Sequence, residues 1–330
     1  MRALELRAYD GRPESVTIVD RPDPRPGSGE VLVRVAASPI NPSDLAFLNG
    51  LYGFTKPLPT IPGFEGSGTV VDSGSGLMSR YLKGKRVACT AADPKISGGM
   101  WAQYVVTSAQ LCIPLSNEVS LDQAAMMLVN PITAWAMVGE ARREHHRAIV
   151  QTAAASALGR MVIRLGRRFG IPVINVVRRP EQLELLRSEG SEHVLSSADP
   201  NFDSELKKLA RELGATIGFD AVSGDLTARL LRAQPKHSRM LVYGALSMSA
   251  AQADPGSLIF EGKSMEGFWL SGWLARQRFH QKVRLSRQIQ SLLSTDLKSD
   301  IRAKVPLDQA ATAIQQYAAN MTAGKFLITP

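Results

Sequence analysis

Residues 148–170 read AIVQTAAASALGRMVIRLGRRFG and decide the fold class. The stretch opens on an apolar run with strand character and continues at helical period, with one apolar face formed by Leu158, Met161, Val162, Leu165 and Phe169. The strand-then-helix order repeats at PVINVV with PEQLELLRSEG, at HVLSS with FDSELKKLARELG, and at TIGFDAV with SGDLTARLLRAQ. RMLVYGAL and SMEGFWL supply further strands. This alternation predicts parallel βαβ units, with helices on both faces of a doubly wound sheet.

The segments on either side of this middle part have a different character. The first ~120 residues contain short strand-like runs, such as EVLVRVAA and GSGTVVDSG, separated by Gly and Pro turns. After the middle part, GWLARQRFHQKVRLSRQIQSLL predicts one long helix, and GKFLIT predicts a terminal strand. We therefore expect an α/β protein in which a dinucleotide-binding domain, 121–270, is inserted into a β-rich domain formed by 1–120 and 271–330.

The composition is that of a globular protein with an excess of positive charge. The chain has 330 residues, 44% hydrophobic and 21% charged, which favours two domains. Lys and Arg number 39 against 30 Asp and Glu, a formal charge of +9. This excess favours an anionic partner, such as a phosphorylated cofactor, a coenzyme A ester or an acidic carrier protein, although a solvated basic surface would give the same count. The sequence lacks an arginine-rich arm, which argues against nucleic acid.

The N-terminus and the lack of a long apolar run predict a cytoplasmic protein. No apolar run is long enough to span a bilayer, and the first residues, MRALELRAYDG, alternate like a strand and lack the apolar block of a signal peptide. The two cysteines, Cys89 and Cys112, are too few for a disulfide framework or a four-cysteine zinc site. Their apolar surroundings predict buried core residues.

A phosphate-binding turn is predicted at QTAAASALGRM, between the first βα strand and its helix. The fingerprint of such turns is G-x-G-x-x-G, whose glycines let the backbone approach a pyrophosphate at the helix N-terminus. Here Ala154, Ser156 and Gly159 occupy the three positions, so the match is degenerate. Small residues in a βα turn can also serve close packing alone.

Two arginines lie at the position that usually binds the adenosine ribose of a dinucleotide. That position lies about 20 residues after the fingerprint, at the end of the second strand. Arg178 and Arg179 follow the buried run IPVINVV, and no acidic residue appears before Glu181. A carboxylate there would repel a 2′-phosphate, whereas an arginine can form a bidentate pair with it. The pattern therefore predicts NADPH over NADH, with a solvated loop arginine as the alternative.

A series of motifs in order resembles the medium-chain dehydrogenase/reductase superfamily, specifically its zinc-free quinone oxidoreductase and enoyl-thioester reductase branches. The motifs are SPINPSDLAFLNGLYG, PGFEGSGTVV, VNPITAW, AAASALG, INVVRR, VYGAL, GFWLSGW and GKFLIT, and they cover nearly the whole chain. INPSDLAFLNGLYG, INVVR and GFWLS are most similar to mitochondrial-type trans-2-enoyl-thioester reductases. The resemblance implies a GroES-like β-rich domain, a Rossmann-type nucleotide-binding domain, an active site in the cleft between them, and a homodimer.

The same resemblance implies chemistry without zinc and a tyrosine proton donor. Ser38 and Phe64 stand where zinc-dependent relatives carry a Cys and a His, and the four-cysteine lobe is missing. In enoyl-thioester reductases a tyrosine after the INPSD helix is thought to donate a proton, and Tyr52 matches it. A tyrosine with a pKa near 10 is protonated at neutral pH and can act as a general acid. The alternative is a loop tyrosine that only packs over the cleft.

The resemblance also implies a set of cofactor-contacting residues. They come from the INPSD and VNPIT motifs, the phosphate turn, the two arginines, the segments that flank the nicotinamide, and a lysine near the C-terminus: Asn41, Asn130, Thr133, Ser156, Ala157, Leu158, Arg178, Arg179, Tyr243, Gly244, Ala245, Leu246, Phe268, Trp269, Leu270, Ser271 and Lys325.

Three functions are consistent with these residues. The first is an NADPH-dependent reductase of trans-2-enoyl thioesters carried on coenzyme A or acyl carrier protein, with Tyr52 as proton donor. The second is an NADPH:quinone oxidoreductase or enone reductase, which needs no dedicated donor because a quinone can take protons from water. The third is a non-catalytic protein that holds NADPH or RNA on the same scaffold, because a fold alone does not determine a function.

Overall fold

A computed structural model of the chain describes residues 1–94 and 98–330. These residues form two compact units, which are Met1–Asn130 together with Val283–Pro330, and Pro131–Lys282. The strands are β1 (Arg2–Leu6), β2 (Val16–Asp20), β3 (Glu30–Pro39), β4 (Glu65–Ser73), β5 (Arg86–Thr90), β6 (Tyr104–Ser108), β7 (Cys112–Pro114), β8 (Ile149–Gln151), β9 (Val173–Val177), β10 (Val194–Ser196), β11 (Ile217–Asp220), β12 (Arg239–Val242), β13 (Ser264–Gly267), β14 (Ile301–Val305) and β15 (Lys325–Ile328). The helices are α1 (Pro42–Leu48), α2 (Leu77–Leu82), α3 (Leu121–Ala125), α4 (Asn130–Arg143), α5 (Ala157–Phe169), α6 (Pro180–Ser188), α7 (Phe202–Leu213), α8 (Asp225–Ala233), α9 (Pro255–Glu261), α10 (Leu270–Ala275), α11 (Phe279–Leu292) and α12 (Ala310–Ala319).

The boundaries of the compact units fall later in the chain than the predicted domain boundaries, which lie after residues 120 and 270. The first boundary falls after residue 130 and not after 120 because the segment that follows residue 120 packs on the sheet of the first unit. Ala125 and Met126 form a small core there with Ala37 and Leu327. The roles assigned to the two parts, catalysis and cofactor binding, stay predictions.

The first unit is built on a mainly antiparallel sheet with the order β14-β15-β3-β4-β5-β7, and β6 pairs with β3. β3 alternates buried and more exposed residues, as a strand does when one face lies on a core. Val31, Val33 and Val35 pack inward with residues of β4, β5 and β6. A second core, around Phe47, Trp101 and other apolar side chains, lies where α1 and α12 meet the strands. Each large apolar side chain buried in this way contributes about 1.5–3 kcal/mol to stability.

The second unit is a six-stranded parallel sheet with the order β10-β9-β8-β11-β12-β13. All residues of β9 are buried, which explains its unbroken apolar run. Helix α5 starts where the Ser156 side chain accepts a hydrogen bond from the Gly159 amide (3.1 Å), and it ends at Gly170, which has a left-handed backbone (φ 68°). The predicted α/β class, with a β-rich part and a parallel sheet inserted in the chain, is confirmed.

The predicted single helix after residue 271 is wrong, because the structure has α10 and α11 in its place. The break falls at Arg276–Arg278. The Gln281 side chain accepts a hydrogen bond from the Arg278 amide (2.7 Å) and caps the start of α11. Periodicity missed the break because the apolar spacing continues across it.

The predicted burial of both cysteines is confirmed. Across residues 1–94 and 98–330, none of the helices has the length and apolar character needed to cross a membrane.

Candidate active site and cofactor-binding segments

A buried polar network lies in the first unit where β3 ends and α1 begins. The side-chain nitrogen of Asn41 donates a hydrogen bond to Glu65 Oε1 (2.8 Å). The side-chain oxygen of Asn41, Oδ1, accepts a hydrogen bond from Lys325 Nζ. The backbone amide of Asn41 donates to Asp44 Oδ2 (2.8 Å), as in a helix N-cap box. All four side chains are nearly inaccessible to solvent. The predicted site residues Asn41 and Lys325 are therefore in direct contact.

Glu65 joins this network to the segment that leads into α4. Its Oε2 accepts hydrogen bonds from the backbone amides of Leu128 (2.8 Å) and Val129 (3.0 Å). Burial raises the pKa of Glu65 to about 6, although the hydrogen bonds it accepts and the nearby Lys325 ammonium oppose the shift. Glu65 thus fixes the backbone next to Asn130, the first residue of α4.

Lys325 has partners for its three N–H donors. Besides Asn41, the ammonium donates to the carbonyl of Ile40 (3.2 Å) and to the hydroxyl of Tyr317 (2.9 Å). This arrangement indicates that Lys325 positions Asn41. Its predicted contact with the cofactor stays a prediction.

Tyr52, the predicted proton donor, lies in a cluster of aromatic rings after α1. Its ring is 4.6 Å from Phe64 and 5.1 Å from Phe54, measured between centroids. The side chain is half-buried. The amide of Phe64 donates to Asp44 Oδ1 (3.1 Å). Tyr52 is therefore joined through Phe64 to the polar network that holds Asn41 and Lys325.

Burial also shifts the titration of Asp44. It raises the pKa of the carboxyl to about 7, and the charge of Glu65 adds to the shift. Two acidic groups with raised pKa values thus lie beside the Asn41–Lys325 pair. The sequence pattern did not single out Asp44 or Glu65. The one signal for Asp44 was its place three residues after an N-cap asparagine.

The residues at the zinc position do not fit a catalytic zinc. Ser38 is buried and donates its hydroxyl hydrogen to the carbonyl of Glu65 (2.7 Å), and the Phe64 ring has no donor atom for a metal. Within the described ranges, no three His, Cys, Asp or Glu side chains come together as a zinc site requires.

The phosphate turn of the second unit lies between β8 and α5. Ala153 has a left-handed backbone (φ 49°), which turns the chain sharply after β8. A Cβ on Gly159 would lie 2.5 Å from the carbonyl oxygen of Ala154, so glycine lets the helix approach the turn closely. The first amides of α5, from Ala157 and Leu158, precede the intrahelical hydrogen bonds and suit a phosphate group.

The two arginines lie beside this turn. The amide of Ala154 donates to the carbonyl of Val176 (3.3 Å), the penultimate residue of β9. Arg178 and Arg179 follow β9 directly, and both backbone amides donate to the Gln182 side-chain oxygen, at 3.3 and 3.2 Å. Arg178 is exposed and Arg179 is half-buried. A buried strand thus ends on two arginines at the sheet edge that carries the phosphate turn.

Asp220, at the end of β11, organises the same edge and was missed by the sequence analysis. It is fully buried and accepts hydrogen bonds from the hydroxyls of Thr152 (2.7 Å) and Thr227 (2.6 Å). Its backbone carbonyl accepts from the amide of Tyr243 (2.9 Å). The signal that the sequence offered for Asp220 was a single acidic residue at the end of the apolar run TIGFD. Burial and the Asp220 charge raise the pKa of the Tyr243 hydroxyl.

The segments predicted to flank the nicotinamide follow the last two strands. Tyr243, Gly244, Ala245 and Leu246 follow β12, and the Leu246 amide donates to the carbonyl of Ala221 (3.0 Å). The Phe268 amide donates to the carbonyl of Val242 (2.8 Å). Trp269 is half-exposed and precedes Leu270 and Ser271 in α10. Carboxyl ends of neighbouring parallel strands meet at one sheet edge, where ligands of this fold class bind.

Two further predicted residues lie in the first turn of α4, which precedes the strands of the parallel sheet in the sequence. Asn130 and Thr133 are both buried. The structure groups the other candidates into two sets, one around Asn41 and Tyr52 in the first unit and one along the sheet edge of the second, and Asn130 and Thr133 belong to neither.

Comparisons with known proteins match parts of both units. Residues 27–117 match the alcohol dehydrogenase GroES-like domain, and residues 157–288 match the family described as zinc-binding dehydrogenase. A mitochondrial enoyl-[acyl-carrier-protein] reductase of Arabidopsis thaliana is 30% identical over 313 residues, which are 91% of this chain and 82% of the relative.

Solved structures resemble the chain over its whole length. A structure from Mesorhizobium loti, provisionally assigned as an NADPH:quinone reductase, is 36% identical with a TM-score of 0.90, covering 100% of this chain and 98% of that one. The quinone oxidoreductase of Thermus thermophilus, solved also in complex with NADPH, is 25% identical with a TM-score of 0.80 and full coverage of both chains. The chain therefore belongs to the medium-chain dehydrogenase/reductase superfamily, in its zinc-free branch of quinone oxidoreductases and enoyl-thioester reductases.

Proposed function

We propose that the protein is an NADPH-dependent reductase of activated C=C bonds, with a trans-2-enoyl thioester as its substrate class. The observation that carries the substrate assignment is the position of Tyr52, whose ring contacts Phe64 beside the Asn41–Lys325 network. The similarity to an enoyl-[acyl-carrier-protein] reductase over 91% of the chain supports the same assignment.

The second unit supplies the features that suit NADPH. The α5 N-terminus and its close-packed turn fit a diphosphate, because backbone amides and the helix dipole favour negative charge there. Arg178 lies after β9, which contacts the turn through the Ala154–Val176 hydrogen bond, and it suits a 2′-phosphate. When bound, NADPH supplies a hydride to the β-carbon of the unsaturated thioester.

The chain itself must then handle the charge and the proton. Hydride addition leaves negative charge on the thioester oxygen, which hydrogen-bond donors stabilise. Tyr52 delivers its hydroxyl proton to the α-carbon, a role that suits a tyrosine because the unperturbed hydroxyl is protonated at neutral pH. The ring contacts with Phe54 and Phe64 restrict the tyrosine ring, so the hydroxyl is held in a limited range of positions.

A quinone or enone reductase is the second candidate. The solved structure with 36% identity and the Thermus thermophilus enzyme are both associated with quinone reduction, which favours this reading. A quinone takes its protons from water, so Tyr52 would then be dispensable. A protein that holds NADPH or RNA without catalysis is the outcome that remains if no acceptor is reduced.

The test measures NADPH oxidation by the purified protein, with a short trans-2-enoyl-CoA and a benzoquinone offered in parallel. We expect faster turnover of the thioester, and we expect Tyr52→Phe to lower that turnover about a hundredfold while it spares the quinone reaction. Phenylalanine keeps the ring contacts, so a folding defect is not expected. Turnover of the quinone alone, or an unchanged thioester rate in Tyr52→Phe, would assign Tyr52 to packing.

The proposal includes a homodimer. β13 is the last strand of the parallel sheet and has β12 as its one neighbour in the strand order. Close to it in the sequence stand Ile259, Phe260 and Trp269, whose apolar side chains are exposed. An open strand edge with apolar surroundings favours pairing with a second copy about a two-fold axis. Sedimentation analysis tests this, and a monomer at micromolar concentration would refute it.

The proposal also keeps the cytoplasm as the compartment and an anionic carrier as the form of the substrate. The two free cysteines suit a reducing compartment. The formal charge of +9 suits coenzyme A or acyl carrier protein as the carrier. Cell fractionation with an antibody against the protein tests the compartment, since the Arabidopsis thaliana relative is mitochondrial by name.

A further inference from the structure

The two cysteines of the chain face each other in the first unit. Cys89 in β5 and Cys112 in β7 are direct partners in the antiparallel register. Side chains that oppose each other in this way project from the same face, with Cβ atoms about 4.5–5.5 Å apart. The chain has two cysteines in 330 residues, so their pairing across one sheet is a specific feature. Both are buried, and Cys112 is the more accessible at 8% exposure.

A third sulfur atom completes the cluster. Met100 is fully buried, and its Sδ lies 3.8 Å from Cys89 Sγ. The Met100 side chain packs against Gly66 of β4, which is the register partner of Cys89. Because Gly66 has no side chain, the end of the Met100 side chain fits there. A Cβ at position 66 would lie 2.5 Å from Met100 Cε. A glycine thus allows a thioether to pack against the cysteine pair. Cys112 Sγ also donates to the carbonyl of Ser108 (3.6 Å).

We propose that Cys89, Cys112 and Met100 form a buried three-sulfur site for one monovalent copper ion. Thiolate and thioether ligands are soft donors that suit Cu(I), zinc and iron–sulfur clusters, and three sulfurs fall short of the four ligands that a structural zinc or a cluster requires. With metal–sulfur bonds of about 2.3 Å, three sulfurs in a trigonal plane are about 4 Å apart. The distance of 3.8 Å between Cys89 Sγ and Met100 Sδ matches this separation.

Binding is an exchange of a cation for thiol protons. Each bond from copper to a cysteine sulfur replaces an S–H bond, and the released proton goes to solvent. The thioether of Met100 binds through its lone pair and releases nothing. Copper stays monovalent, so no oxidant or reductant is involved. The ion would enter at Cys112, because Cys89 and Met100 are closed to solvent.

The test titrates the fully reduced, full-length protein with Cu(I) under anaerobic conditions, in competition with a chromophoric Cu(I) chelator. We expect one ion per chain, and X-ray absorption of the complex should show three sulfur scatterers. Cys89→Ser and Cys112→Ser should each abolish stoichiometric binding. Met100→Leu should weaken binding about tenfold and leave two scatterers.

Matched variants separate ligand loss from a folding defect. Met100→Leu conserves volume, and Met137→Leu makes the same change at another fully buried methionine, in the second unit. Circular dichroism melting should show both folded, and Met137→Leu should bind copper like the wild type. No copper held against the chelator, equal binding by Cys89→Ser and the wild type, or equal losses in the two methionine variants would overturn the proposal. Each readout is independent of NADPH oxidation.

Discussion

Replacement of Arg178 by alanine tests how the protein selects its cofactor. A bidentate guanidinium–phosphate pair consists of charge-assisted hydrogen bonds, which are worth about 1.5–3 kcal/mol in mutational series. Arg178 is exposed, so water and salt screen the pair, and we place the loss near the lower end, at about 1.5 kcal/mol. This corresponds to a roughly tenfold increase in the Kd for NADPH. NADH has no 2′-phosphate, and its Kd should change less than about twofold.

The assay is a titration of nicotinamide fluorescence with each cofactor, at low and at high salt. Arg187→Ala is the matched control, because Arg187 is also exposed and carries the same charge. It lies in the last turn of α6, about 10 Å further along the helix, which is more than the Debye length of about 8 Å at physiological salt. Equal weakening of NADPH and NADH by Arg178→Ala, or the same loss in Arg187→Ala, would show that Arg178 does not read the 2′-phosphate.

Further substitutions test the two candidate sets. Gly159→Ala places a Cβ 2.5 Å from the carbonyl of Ala154, so we expect about 1–3 kcal/mol lower stability in urea unfolding and weaker NADPH binding; unchanged values would argue against close packing of the turn. Lys325→Met leaves the Asn41 side-chain oxygen without its donor, and we expect a loss of about 1–3 kcal/mol, measured in the same way; an unchanged free energy of unfolding would contradict the network. Asp44→Asn should gain stability relative to the wild type as pH rises from about 4 to 7. The raised pKa of about 7 means that folding binds a proton at Asp44 in this window, and that contribution disappears as pH rises, so unfolding at pH 4.5 and 7.5 checks the sign.

The sequence predicted the second unit well because its signals are local. The apolar face of α5, the small residues before it and the arginines after β9 all lie within about 30 residues, the length of one βαβ unit. Within that length, periodicity and turn chemistry constrain the chain strongly. The same reasoning placed Arg178 at the end of a buried strand beside the turn, where the structure has it.

The first unit was harder because its contacts join distant parts of the chain. Lys325 reaches Asn41 across 284 residues, and Glu65 reaches Leu128 across 63. No local pattern specifies such partners. The resemblance to a family predicts that Asn41 and Lys325 contact the cofactor. Their direct hydrogen bond, and the hydrogen bond from Asn41 to the carboxylate of Glu65, became visible only in the structure. The pairing of Cys89 with Cys112 likewise depends on strand register.

The position of β15 in the sheet has a consequence for biosynthesis. This strand lies between β14 and β3, yet it follows the entire second unit in the chain. Roughly 200 residues separate Asn130 from β15. A ribosome needs about 10–40 s to add them. During that interval Glu65 and Asn41 lack Lys325, and β3 lacks a neighbour at its carboxyl end. The second unit, whose sequence is contiguous, can fold meanwhile. A nascent chain would therefore complete its second unit before its first, and chaperones would meet the unpaired end of β3.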